Sequence, residues 1–251
     1  MFNTFRAELY RVFKGKMIYV FITISALLPL LSLLFIYLFT DDAIAAGMTV
    51  PTYDQGKFFS ESAKELLTGG VGMLFAMLLG VSLLVDEYHA GMLKVRLLST
   101  HRLTLYAAKT LAIALSFGLI VIFYGLVTFV VGGFYYGFQI DGESLFNGVL
   151  ALALSFQTLS IVSVCFMGFG MVFRKSSSAI GAGIGIVLVW NILIQLLPDA
   201  WLWLIPHAYV LKALAFDLNQ YGFAAVITLA AFLALGFAGG FTYFNKKDLL
   251  Q

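Results

Sequence analysis

Six long apolar stretches alternate with short polar ones along this chain. Each is near or above the roughly 20 residues that an α-helix needs to cross a bilayer. They run over about 17–39, 66–85, 110–138, 145–173, 176–197 and 221–244. The third and fourth are longer than a straight crossing requires. The first is followed by Ala43-Ile44-Ala45, which resembles a cleavage site. A signal peptide's apolar core is only about 7–15 residues long, however, so the first stretch is expected to remain a span. Ahead of it, Phe2, Phe5, Leu9, Val12 and Phe13 recur at three- and four-residue steps, with Arg6, Lys14 and Lys16 elsewhere on the wheel. That pattern predicts a short amphipathic helix over residues 1–16, lying on the inner leaflet. No internal repeat relates the two halves, so residues 1–251 are expected to form one membrane domain.

One polar stretch differs from the others. "DEYHAGMLKVRLLSTHRLTLYAAK", Asp86 to Lys109, carries Lys94, Arg96, Arg102 and Lys109 between two nearly uncharged spans. Gly91 can interrupt the helix continuing from span two. Beyond it Met92, Val95 and Leu98 recur at helical spacing, with Leu93 and Leu97 adjoining. This predicts a short helix across the inner surface, its apolar face available to the membrane or to a groove on a protein.

Composition agrees with a lipid environment. The 251 residues are 61% hydrophobic and 11% charged, with 25 Phe. Soluble domains are roughly 45–50% apolar and about 25% charged. In lipid every backbone polar group must be satisfied within helices or a closed barrel. The apolar runs far exceed the roughly 10-residue alternating strands of a barrel, so the predicted class is all-α. The single cysteine, Cys165, permits no intramolecular disulfide.

Charge sets the orientation. Twelve of the fifteen Lys and Arg fall before span one, after span two, after span four and after span six. The remaining three, Lys57, Lys64 and Lys212, lie in the other connections, where most of the acids also lie. Lys and Arg accumulate on the cytoplasmic side, which predicts six spans with both termini in the cytoplasm. Trp201 and Trp203 then fall near the outer boundary, where amphipathic rings are favoured.

The spans themselves hold little chemistry. Their middles lack Asp, Glu, Lys, Arg and His, and the chain has no HExxH and no Cys/His set at metal-ligand spacing. An intramembrane protease, a proton-coupled transporter or a metal pump would lack its working groups, so no catalytic residue and no metal site are expected. The polar residues that remain are Gln157 with Ser160, and Asn191 with Gln195, each pair sharing a helix face. Interhelical hydrogen bonding, worth about 0.6–2 kcal/mol each, accounts for them; lining a substrate path between two subunits is the alternative. Gly72, Ala76 and Gly80, Gly181 and Gly185, and Gly236 and Gly240 are spaced for close helix contact.

The segment "EYHAGMLKVRLLSTHRLTLYAAK" resembles the cytoplasmic loop of bacterial ABC type-2 permeases, the membrane subunits of ATP-driven exporters. Glu87, Gly91, Leu93, Arg102 and Lys109 match that loop's pattern, while Met92 stands where Thr is usual and the turn before Arg102 is shortened. "FRAELYRVFKGK" resembles the family's elbow helix. Phe244, Lys247 and Asp248 in "FTYFNKKDLL" resemble its basic exit. The resemblance implies a coupling helix between spans two and three that docks on a separate ATPase through Glu87, Gly91, Met92, Leu93, Lys94, Val95, Arg96, Leu98, Arg102 and Lys109. It implies two ATP-binding-cassette subunits carrying ATP and Mg, and a second permease subunit, identical or paralogous. This chain has no GxxxxGK[ST] loop and would bind no cofactor of its own. The family's small members export hydrophobic or amphipathic compounds such as antimicrobial peptides across the bacterial cytoplasmic membrane. In the family the outer segment 198–219 can fold back into the outer leaflet. No nucleic-acid partner is expected. The alternative is a non-transporting membrane anchor or assembly factor that recruits a cytoplasmic partner through the same loop.

Overall fold

The structure is a computed structural model and describes residues 2–45, 54–68, 70–173, 175–198, 201, 205, 208, 210 and 218–246. Among the described residues there are helices and no strands. Helix α1 spans Phe2–Lys14 and α2 Lys16–Ala45. Helix α3 spans Gln55–Thr68 and α4 Val71–Val81, and a π-helical turn follows over Ser82–Asp86. Two short helices, α5 (Glu87–His89) and α6 (Met92–Leu97), lead to the long α7 (Arg102–Tyr136). Then come α8 (Gly142–Gly170), α9 (Ser176–Leu196) and α10 (Leu218–Lys246).

Five of these helices are long and apolar enough to cross a membrane. Residues Gln55–Leu66 and Val71–Asp86, which meet at 41°, make a sixth crossing if they form one bent span. Helix α8 is central, packing against α3, α4, α7 and α10. Small residues permit that closeness. A side chain on Gly80 would meet the Ser163 carbonyl of α8, and one on Gly168 would lie 2.6 Å from the Gly240 Cα of α10. Gly181 and Gly185 face open space instead.

Three expectations need correction. The polar connection ahead of the second apolar stretch, given no element of its own, contains helix α3. Its Phe58, Phe59, Ser62, Ala63 and Leu66 are buried, whereas Lys57, Glu61 and Glu65 are exposed. That is a 3.6-residue period, which a short polar segment hides from a search for long apolar runs. Gln55 donates to the Phe129 carbonyl, and Tyr124 donates to the Ser62 carbonyl, fixing α3 along α7. Second, the stretch 66–85 is no single straight helix. It breaks at Gly70, whose φ of 72° is a left-handed conformation that favours glycine. Third, the helix that carries the apolar stretch 110–138 begins at Arg102, so the second half of the charged stretch is already part of a 35-residue helix. Such a helix is about 52 Å long, well beyond a hydrocarbon core of about 30 Å.

Candidate functional site: a buried ion cluster under the charged segment

The charged segment folds because Gly91 takes φ 69°, closing α5 and turning the chain into α6 with nothing close to its missing side chain. This bend gives α6 two different faces. Leu93 is buried, and Met92, Val95 and Leu98 are 48%, 68% and 83% exposed. Beside this apolar edge lies a hollow of about 420 Å³ lined by residues 97–102.

Beneath α6, five charged side chains from four elements converge. Glu8 and Arg11 come from α1, Glu87 from α5, Arg96 from α6 and Lys109 from α7. The Lys109 ammonium sits 2.9 Å from one Glu8 oxygen and 2.8 Å from one Glu87 oxygen. It also donates to the Leu83 carbonyl at 2.7 Å. Leu83 lies within the π turn, where i→i+5 bonding perturbs the usual ladder, and its carbonyl accepts the lysine proton. The ammonium hydrogen-bonds Glu8 and the Leu83 carbonyl, and holds Glu87 as an ion pair. Arg96 pairs with Glu8 and lies 3.3 Å from Glu87, and Arg11 pairs with Glu87. Glu8, Glu87 and Lys109 are fully buried. The arginines keep about a third of their side chains exposed.

Two acids and three bases leave the cluster with one positive charge in excess. Burial, then the neighbouring Arg96, hold the Arg11 guanidinium below its ordinary pKa, and Glu8 and Asp86 work in the opposite direction. Asp86 itself accepts a hydrogen bond from Ser176 at the start of α9. Each buried charge here has at least one counter-charge, which offsets part of the cost of taking it out of water.

The structure distributes the residues singled out in the sequence among different roles. Glu87, Leu93 and Lys109 are buried inside the chain, so their side chains are closed to a docking partner. Arg96 is half-committed to the cluster. Arg102 donates to the Phe244 and Asn245 carbonyls, tying the start of α7 to the end of α10. Phe244 is buried and lies against Tyr106. Lys94 is half-buried. Only Met92, Val95 and Leu98 are offered outward as a continuous apolar edge. Asn191 is half-buried on α9, its side chain donating to the Val187 carbonyl, whereas Gln195 is exposed. Gln157 is half-buried on α8. No hydrogen bond joins these three among the described residues. Arg174, Trp203, Pro206, His207, Lys212, Lys247, Asp248 and most of the segment 198–219 lie outside the described residues.

Glu8 and Arg11 are the residues that sequence reasoning missed. Glu8 stands between Phe5, Leu9 and Val12 on the stripe that turns inward. A lone acid on such a stripe signals a buried base, and the tally of inner-side positive charge passes over it.

A protein-family profile described as a protein of unknown function (DUF2705) matches residues 54–250. The chain belongs to this family. The DUF2705 match covers Glu87, Arg96 and Lys109 and leaves Glu8 and Arg11 outside it. No curated protein matches the chain.

Proposed function

We propose that this chain is the permease subunit of an ATP-driven exporter, receiving force at α6 from a separate ATP-binding-cassette subunit. The observation that supports the reading is the pairing of a rigid base with an open edge. Glu8, Arg11, Glu87, Arg96 and Lys109 clamp α6 to α1 and α7, so α6 moves only with the helices attached to it. Met92, Val95 and Leu98 stand outward beside the hollow at 97–102, an arrangement suited to the groove of a partner. A loop kept only for topology has no use for so fixed a mount.

In this reading the membrane carries six helical crossings, with the bent α3–α4 pair as the second, α1 on the inner leaflet and both termini in the bacterial cytoplasm. Two such chains, or this chain and a paralogue, join two ATPases that hold ATP and Mg. The path between the permeases takes a hydrophobic or amphipathic cargo, and Gln157, Asn191 and Gln195 are its candidate polar lining. This chain contributes no catalytic group.

Burying Val95 and Leu98 in a groove is worth roughly 1.5–3 kcal/mol each. Val95→Asp with Leu98→Asp is therefore expected to abolish co-purification of the ATPase while leaving membrane insertion and the melting temperature of the chain unchanged. Wild-type recovery of the ATPase by the double variant, with transport intact, would overturn the assignment. A bound partner without any cargo movement in proteoliposomes would favour the anchoring role.

A further inference from the structure

Two joined apolar hollows of about 420 and 400 Å³ run between α7 and α8, sharing Gly118, Ile122 and Phe156. Phe5 of α1 closes one end, Leu115 forms part of the wall, and Val149 of α8 stands at the other end. Gly118 forms the floor: a Cβ there would lie 3.5 Å from the Phe156 ring. From Leu111 to Ile122 the groove follows α7 for about 16 Å. Leu115 and Ile122 on its rim are exposed.

We propose that this groove holds one acyl chain of an anionic phospholipid from the leaflet on which α1 lies. Both walls belong to helices long and apolar enough to cross a membrane, so the groove opens towards hydrocarbon. Its lining offers water almost no polar partner, and an empty cleft forfeits the contacts that an acyl chain restores. Charge selects the headgroup. The exposed charged side chains of α1 are Arg6 and Lys14, both basic, and its one acid, Glu8, is consumed in the ion cluster. A phosphate at the Phe5 end therefore meets the adjoining Arg6 without an opposing carboxylate from α1, and Lys14 adds positive charge further along the same helix. An isologous second copy would instead bring the same bases against themselves. The groove also touches the cluster through one turn of helix, since Phe5 and Glu8 are three residues apart on α1. A bound chain thus braces the helix that holds α6 in place.

The test uses the purified full-length chain, native mass spectrometry, and phosphatidylglycerol and phosphatidylcholine with identical acyl chains. Wild type is expected to retain phosphatidylglycerol about tenfold better, the scale set by basic groups near an anionic headgroup. Ile122→Trp fills the groove from its exposed rim without disturbing the helix contacts, and is expected to lose the retained lipid. Gly118→Leu fills the floor and serves as a second variant where melting shows it folded. Arg6→Glu is expected to keep lipid uptake but erase the preference for phosphatidylglycerol. Equal retention of the two lipids by wild type would overturn the proposal. So would undiminished phosphatidylglycerol on Ile122→Trp, or an efficient disulfide between two Ile122→Cys copies in membranes.

Discussion

Lys109 is the residue on which the buried ion cluster depends. Its ammonium pairs with two carboxylates and donates to a π-turn carbonyl in a site closed to water. Removing one partner of a buried ion pair leaves the other charge uncompensated, at a cost of about 3–5 kcal/mol. Lys109→Met is therefore expected to lower the melting temperature of the chain in detergent sharply. Adding Glu8→Gln removes one of the stranded acids, so the double variant should melt above the single one. If the two changes simply add, the cluster does not act as a unit. Lys109 was visible in the sequence as the last charge before an apolar run, but only its membrane-entry position could be read there. Its burial required partners from α1 and α5, 101 and 22 residues away in the chain, and no local pattern announces such pairings. Glu8 was legible in principle, as an acid on an apolar stripe.

At the scale of elements, long apolar periodicity carries through and short polar helices do not. Helices α2, α7, α8, α9 and α10 lie close to the stretches marked by hydropathy, with ends that differ by a few residues. The exception at an end is α7, where eight residues of charged sequence are helical because Leu105, Tyr106 and Ala108 bury against neighbouring helices. Helix α3 escaped because its polar face dominates its composition. The break at Gly91 was legible, since only glycine adopts a left-handed φ without penalty. An L-residue held there costs roughly 1–2 kcal/mol. Gly91→Ala is expected to destabilise the chain by about that amount despite the open space around it, and to turn α6 relative to α7. A spin-label distance between Val95→Cys and Leu119→Cys, unchanged in the Gly91→Ala background with unchanged melting, would show that the bend is not set by this glycine.

At the scale of the whole molecule, the proposed orientation rests on the twelve bases that fall in alternate connections of the sequence, and the ion cluster gathers α1, α5, α6 and α7 at one end. Single cysteines at Lys94 and Asp141 in a Cys165→Ser background are expected to separate cleanly. An impermeant thiol reagent applied to intact cells should label position 141 and spare position 94. Labelling at 94 before lysis would invert or dismantle the six-crossing arrangement. The central claim is that the apolar edge of α6, mounted on the cluster, meets a cytoplasmic ATPase. A photo-crosslinking amino acid in place of Val95, activated in living cells of the native host and followed by mass spectrometry of the adduct, tests this most directly. The expected result is one dominant protein adduct, a chain with a GxxxxGK[ST] phosphate loop, lost when Leu98→Asp is added. Adducts with lipid alone, or with a protein lacking that loop, would contradict it.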